Sequence, residues 1–473
     1  MSSLYMICLD RIYGFLKEGM WKSCISNPFS DLPTKAVNEL MDISDDEKDY
    51  SKIGDVLLLL TSGRLTRLDL RPFDPKAEQD LIVSAIQKTV RICLRNLASN
   101  SEELIFHFVR NIITWNPYLE EFHSEVHPGF EVFLKCPNLR VLKIYDSFEE
   151  FPVNKAPIDL SVLSSLRNLE PGRNCSKTAE EFFVVDRHFQ LRKCVWGRKF
   201  RRRNHNKRQE YNSSFRDKVI SDVNLCPLVQ ELIIYVYQKD GYEGLRCLKQ
   251  LTLLRIHFKN FPGDFLPDFV ALLQEIGPQL KHLSVFGKEE PSRRNDGVPV
   301  DVICDCCPDL QSLEIWSSIF MKDSSKSSCD LALKRLTLHV VQPDVDEEIH
   351  DEEIHNEEES LLFLLTNSKH LEELYLDSAE SLDDTLLNQI FKKNPFTQLK
   401  VICTEESSVT WKGFQMLLEK PASVETVLIV ADRQHFYDAK SLFNDANISY
   451  LKDFYTYVKL KEFFYCRLNE KSF

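Results

Sequence analysis

Leu310-Gln311-Ser312-Leu313-Glu314-Ile315 is the stretch that decides the fold, because its pattern returns along most of the chain. The same L-x-x-L-x-L phrase begins at Leu65 (LTRLDL), Leu139 (LRVLKI), Val229 (VQELII), Leu248 (LKQLTL), Leu280 (LKHLSV), Leu333 (LKRLTL) and Leu371 (LEELYL). Weaker copies start at Leu399 (LKVICT) and Val424 (VETVLI). Residues two apart share one face of a strand, so each phrase reads as a short strand with one buried side. From Val229 onward the copies recur roughly every 20 to 30 residues, except across an insertion, and that is the period of a repeat architecture. Three copies share a prefix: Cys136-Pro137-Asn138, Cys226-Pro227-Leu228 and Cys307-Pro308-Asp309. Proline after the cysteine ends the preceding helix and opens the turn into the strand. Cysteine is small and apolar enough for a tight helix end in the core. Amphipathic stretches fill the gaps at Phe265–Ile276, Val300–Cys306, Ser360–Leu365, Thr385–Phe391 and Trp411–Leu418.

Strand, turn, helix and turn at this period resemble a leucine-rich repeat, of the irregular, cysteine-containing kind found in ubiquitin-ligase receptors. The resemblance implies an α/β solenoid, a horseshoe whose parallel strands line the concave face and whose neighbours complete each other's core. A doubly wound α/β domain also alternates strands with helices, but one strand phrase repeated about ten times argues against it.

The phrase is missing between Leu70 and Leu139, where Ala77–Ala98 and Glu102–Trp115 read as amphipathic helices. Two insertions interrupt it later. Pro171–Asp217 carries Arg198-Lys199-Phe200-Arg201-Arg202-Arg203 and Lys207-Arg208. It reads as a solvated loop; nuclear import and contact with an acidic partner are the functional alternatives. Asp344–Glu359 holds ten carboxylates with His350 and His355, and is expected to be disordered. That histidine spacing is not the metalloprotease one, so no metal is assigned. The resulting layout is 1–45, a docking element; 46–135, a helical linker with irregular first repeats; 136–435, the array, with insertions near 171–217 and 343–359; and 436–473, a C-terminal cap. Ser441–Phe473 is rich in aromatics and would cover the last repeat, or offer a second recognition surface.

The N-terminus carries a different pattern. Leu4, Cys8 and Ile12 recur every fourth residue and form one narrow apolar ridge on a helix, suited to a partner's groove. Leu32-Pro33-x-x-Ala36-x-x-x-Leu40 then restarts at a proline, which suits a first helical turn. Together they resemble the VHL box of cullin-2 ubiquitin-ligase receptors. That resemblance implies that Leu4, Cys8 and Ile12 dock elongin C (with elongin B), and that Leu32, Pro33, Ala36 and Leu40 meet cullin-2. Two other readings stay open. Asn27-Pro28-Phe29-x-x-Leu32-Pro33 resembles the opening of an F-box, which would dock a Skp adaptor of a cullin-1 ligase; Leu4 and Cys8 are surplus to it. A plain capping hairpin of a leucine-rich scaffold needs no partner at all.

Net charge −13 argues against non-specific nucleic-acid binding over the whole chain. No apolar run is long enough to span a bilayer. Charged residues interrupt the N-terminal apolar stretch, so no signal peptide is read there. The expected location is cytoplasmic, with the nucleus possible through the basic run, and the 14 cysteines read as reduced thiols. There is no phosphate-binding glycine loop, nucleophile elbow or paired CxxC motif. Cys304, Cys306 and Cys307 splay over different helix faces and read as core. The expectation is therefore a non-catalytic protein with no cofactor, holding a protein substrate.

Strand alternation places that substrate. If phrase positions 1, 4 and 6 are buried, positions 3, 5 and 7 face the other way. Position 7 reads Tyr145, Tyr235, Phe286, Trp316 and His339; position 5 adds Ile233 and Tyr375. Rings one strand apart would form a column suited to a partner hot spot, or would simply cover one another. Glu231, Glu314, Arg335, Glu372 and Glu373 would flank it and favour a peptide with basic residues.

Overall fold

The computed structural model describes residues 4–21, 24, 26–46, 56–70, 101–124, 128–144, 163–170, 191–196, 228–236, 245–246, 248–258, 266–287, 297–323, 331–340, 351–377, 379, 381–405, 408–410, 412–413, 416 and 426–430. The chain forms two compact units, Met1–Ser318 and Ile319–Phe473.

The first unit opens with α1 (Leu4–Glu18), a 3-10 turn (Pro28–Asp31), α2 (Thr34–Asp46) and α3 (Val56–Leu60). Then follow β1 (Arg67–Asp69), α4 (Ser101–Trp115), β2 (Glu121–Ser124), β3 (Val141–Ile144), β4 (Asn168–Glu170), β5 (Lys193–Trp196), β6 (Glu231–Val236) and β7 (Leu253–Phe258). It continues with α5 (Leu266–Ile276), β8 (His282–Phe286), α6 (Val300–Cys306) and β9 (Ser312–Trp316). Each strand pairs in parallel with the next in chain order. The second unit repeats the scheme with β10 (Arg335–His339), α7 (Asp351–Asn367), β11 (Glu373–Asp377), α8 (Asp384–Lys393), β12 (Val401–Glu405) and β13 (Thr426–Val430). Its strands are again parallel and consecutive.

The phrase explains both the register and the core. Leu232, Leu254, Leu283 and Leu313, each at position 4, sit opposite one another and are buried. Ile234, Ile256, Val285 and Ile315, at position 6, form a second buried row. Intervening residues are mostly half-exposed, so each sheet has one covered and one open face.

One hydrogen-bond pattern sets the ladder. The carbonyl at phrase position 2 accepts two N–H groups from the following strand. Thr66 O accepts from Glu120 N (2.7 Å) and Glu121 N (3.0 Å), Glu120 O from Arg140 N (2.7 Å) and Val141 N (3.0 Å), and so on to Lys281 O, which takes Gln311 N and Ser312 N. At several strands the turn before the phrase is closed in the same way. Asn116, Cys136, Gly277, Cys307 and Ser368 each accept at their carbonyl from the N–H three residues on, the residue that opens the phrase. The side chains at these turns satisfy helix-end carbonyls left without partners. Ser368 Oγ donates to Leu364 O (2.6 Å), and the Cys136 thiol reaches Ile113 O and Asn116 O. Gly277 has no room for more, since a Cβ there would lie 2.3 Å from the Cys306 carbonyl oxygen.

Several expectations need correcting. The seventh strand takes its phrase from Leu251, not Leu248: Leu254 pairs with Leu232, and Leu248 is the turn residue that accepts from Leu251 N (3.2 Å). The gap before Leu139 contains a repeat, β2, behind helix α4. The first insertion contains another, β5. Leu166 and Leu169 supply β4 with no complete phrase. Part of the acidic segment expected to be disordered is helical, because α7 starts at Asp351. Ala77–Ala98, the basic run at 198–208 and the aromatic tail Ser441–Phe473 lie outside the described residues.

Cys304 and Cys307 are buried and Cys306 is half-buried, as core residues would be. Burial pushes the thiols of Cys136 and Cys307 up to about 12. At pH 8 only about one such thiol in ten thousand is ionised. Iodoacetamide should therefore label the exposed Cys8 and Cys24 in the native protein while sparing Cys136 and Cys307, as read by peptide mass spectrometry. Rapid native labelling at Cys136 would show that its helix end opens locally.

Candidate docking face and recognition surface

Two surfaces of the Met1–Ser318 unit carry most of the residues singled out by the sequence, and His339 and Tyr375 lie in the second unit. The first is α1. Leu9 and Leu16 are fully buried and hold the helix against the rest of the unit. On the opposite side of its first two turns, Leu4 is 77 % exposed and Ile7 54 %, while Tyr5 (41 %) and Met6 (42 %) flank the Leu9 side and are also part-exposed. Cys8 is exposed too, while Ile12 is half-buried. Tyr5 donates its hydroxyl to Glu39 of α2, and the Lys35 ammonium lies over its ring at 5.6 Å. The Glu39 hydrogen bond is also the first cause of the raised Tyr5 pKa. At the other end, Phe15, Trp21 and Phe29 meet edge-on at 5.9 and 5.3 Å.

The residues expected to meet cullin-2 divide into two sets. Pro33 is exposed and Leu32 half-exposed, but Ala36 and Leu40 are buried with Val37 and Met41. Ala36 and Leu40 therefore fix α2 in place and are not available to a partner; apolar side chains at this helical spacing fill the core first. The F-box-like residues also have local work. Asn27 accepts from Phe29 N (2.9 Å) and donates to Leu58 O (2.6 Å), while Phe29 is buried.

The second surface is the open face of the sheet, which is laced with charge along β3 to β6. Lys143 and Lys193 both reach Glu170 at 3.6 Å, and Lys193 reaches Glu231 at 3.4 Å. Burial holds the Lys193 ammonium below its ordinary pKa, although Glu170 and Glu231 pull the other way. Along β7 to β9 the face turns aromatic. His257 stacks on Phe286 (4.2 Å, 12°) and Phe286 on Trp316 (5.8 Å, 29°). Glu314 pins this group, accepting from Arg255 (3.2 Å), Ser284 Oγ (2.7 Å) and Trp316 Nε1 (3.0 Å).

Phe286 and Trp316 thus meet as expected. Tyr235 occupies the matching position on β6, opposite His257, and Tyr145 lies outside the described residues. His257 and Arg255 were missed because the phrase in that strand was set three residues early; Leu251-x-x-Leu254-x-Ile256 is the signal that finds them. In the second unit, His339 Nδ1 lies 2.6 Å from Asp377. Tyr375 donates to Glu373 (3.1 Å), which also binds Arg335. Burial, then Glu373, pushes the Tyr375 hydroxyl up to about 12. The charges expected to attract a basic peptide are all engaged within the chain. Glu231 pairs with Lys193, Glu314 with Arg255 and Glu373 with Arg335. Glu372 sits at position 2, not on the open face, between Lys334 and Lys400; the Lys400 hydrogen bond lowers its pKa. Selection of a basic peptide finds no support in this arrangement.

Among the described residues, no three His, Cys, Asp or Glu side chains are grouped to hold a metal, and no helix is long and apolar enough to cross a membrane. Strand–turn–helix units with one buried phrase per strand define an α/β repeat protein. No protein-family model matches the chain, and no curated protein does. Among solved structures, the chain is similar to the crystal structure of the Rad7 and Elc1 complex in yeast, with 15 % identity over 90 % of this chain and 86 % of that one and a TM-score of 0.36. It is also similar to the Leptospira interrogans LRR protein LIC12759, with 14 % identity, 67 % and 91 % covered, and a TM-score of 0.22.

Proposed function

We propose that the chain is a non-catalytic substrate receptor of a cullin-2 ubiquitin ligase. Its leucine-rich-repeat array holds a target protein, and α1 docks elongin C with elongin B. The carrying observation is the exposed apolar side of α1, Leu4, Ile7 and Cys8, on a helix whose other side is anchored by Leu9 and Leu16. An unpartnered apolar helix face of this kind fits a hydrophobic groove. Leu32 and Pro33, at the exposed start of α2, form the part of the second motif open to a cullin. The ring stack of His257, Phe286 and Trp316 is the candidate hot spot for the target. Such a receptor makes and breaks no bonds; it raises the concentration of target lysines near the ubiquitin-charged enzyme.

The test is capture by purified elongin B–C. Wild type should bind, and Leu4→Ala with Cys8→Phe should reduce binding at least about tenfold, since two central contacts of a helix-in-groove interface are lost. The double variant should keep its melting temperature, because both side chains are exposed. Capture of a Skp adaptor instead would establish the F-box reading. Capture of neither would leave a leucine-rich scaffold outside the ubiquitin system.

A further inference from the structure

We propose that Asn38 of α2 stands in for a missing strand at the first edge of the sheet, so that the docking element is also the capping unit of the repeat ladder. In every later repeat of the first unit, the N–H at phrase position 2 donates to the carbonyl at position 2 of the strand before. Arg140 N donates to Glu120 O (2.7 Å), Arg167 N to Arg140 O (2.8 Å), Thr252 N to Gln230 O (2.8 Å) and Gln311 N to Lys281 O (2.8 Å). Thr66 holds this position in the first repeat, and β1 is the edge strand among the described residues. Its N–H donates to Asn38 Oδ1 (3.1 Å), and Asn38 Nδ2 donates to Thr66 Oγ1 (2.7 Å). The side-chain carbonyl takes the Thr66 N–H as the position-2 carbonyl of a preceding strand would, and the amide NH2 group holds the Thr66 hydroxyl beside it. Asn38 is buried among Ala36, Val37 and Leu40. Two outer contacts follow the same seam: Arg67 to Asp42 (2.8 Å) and Arg64 Nε to Ser30 O (2.6 Å).

An uncapped repeat end exposes backbone and frays, and terminal units of repeat proteins normally prevent this. Here the same helix pair that presents the α1 face closes the ladder. If α1 docks a partner as proposed above, binding there and order at β1 are coupled through α2.

Hydrogen exchange on the full chain without any partner tests the cap, so its outcome does not depend on the ligase reading. Asn38→Ala should speed exchange of the segments covering 65–70 and 119–124 by about ten- to a hundredfold, the loss of one to two buried hydrogen bonds. Segments 282–286 and 312–316 should stay at wild-type rates. Asn38→Asp keeps an acceptor for Thr66 N, to which the Thr66 hydroxyl can turn and donate, and should restore most of the protection. Unchanged exchange at 65–70 in Asn38→Ala overturns the proposal. So does acceleration spread equally to 282–286 and 312–316, which would mark Asn38 as an ordinary core residue. Failure of Asn38→Asp to rescue would show that packing, not strand mimicry, is its role.

Discussion

Asn116→Leu should destabilise the Met1–Ser318 unit by about 3 kcal/mol, although it exchanges a polar side chain for an apolar one of similar size in a fully buried site. Three backbone groups bond to this amide. Nδ2 donates to Leu60 O (2.7 Å), at the end of α3, and to Ile112 O (2.9 Å), in the last turn of α4. Oδ1 accepts from Leu65 N (3.2 Å), the first residue of a phrase. Leucine would orphan Leu60 O and Leu65 N in a buried site, at on the order of 1–3 kcal/mol each before relaxation, while Ile112 O would keep the backbone N–H of residue 116 (3.2 Å). Asn116→Asp should do no better at neutral pH, because a carboxylate would face two carbonyl oxygens. Its folded pKa would then lie above that of the unfolded chain. The native state would hold the proton more tightly, and stability would recover as pH falls through the folded value. Urea unfolding at pH 5 and pH 7.5 checks the sign: the deficit of Asn116→Asp relative to wild type should shrink at the lower pH, while that of Asn116→Leu stays constant.

Asn116 also shows why part of the fold was legible in the sequence and part was not. The leucine rows could be read because each phrase keeps its own period. The repeat at β2 was missed because Asn116-Pro117-Tyr118-Leu119 uses asparagine where other copies use cysteine, Phe122 replaces the second leucine and Ser124 the third. Cysteine and asparagine look unlike as residues, yet both Cys136 and Asn116 sit at the turn before a phrase and reach carbonyls at the end of α4. At β7 the run Leu248-Lys-Gln-Leu251-Thr-Leu-Leu254 contains two overlapping phrases. Only the turn bond from Leu251 N to Leu248 O and the pairing of Leu254 with Leu232 select one. The open face of the sheet was half legible. Alternation placed Phe286 and Trp316 correctly, but a sequence does not show that Glu314 is already engaged by Arg255, Ser284 and Trp316. Those contacts join residues on three strands, and register had to be known first. Spacing marks the Leu4, Cys8 and Ile12 ridge, but it does not show that Ile12 is half-buried and Ile7 exposed, or that Ala36 and Leu40 turn inward as α2 lies against the first repeat.

Lys193→Ala should cost about 2 kcal/mol, because it strands carboxylates that the lysine now neutralises at the sheet face. Glu170 would keep only Lys143, and Glu231 would lose the ammonium 3.4 Å away. Lys193→Met with Glu231→Gln should cost less than the two single changes added together, since it removes both charges and keeps the aliphatic stem. The pH dependence decides which effect governs this residue. Its folded pKa lies below the ordinary 10.5, with burial the largest cause and the two glutamates opposing it. Between the folded and unfolded values the unfolded chain binds more protons, so this residue's contribution to stability rises with pH in that window. Below the folded pKa the full cost of burying the ammonium is present. Wild type should therefore gain on Lys193→Met between pH 8 and 10 in paired urea titrations. If wild type instead loses ground over that range, ion pairing outweighs burial and the strip is a net stabilising network. Either result separates the two halves of the open face. A strip that spends its charges on itself offers little to a charged partner, so in the receptor proposed above target binding would fall to the rings of β7 to β9.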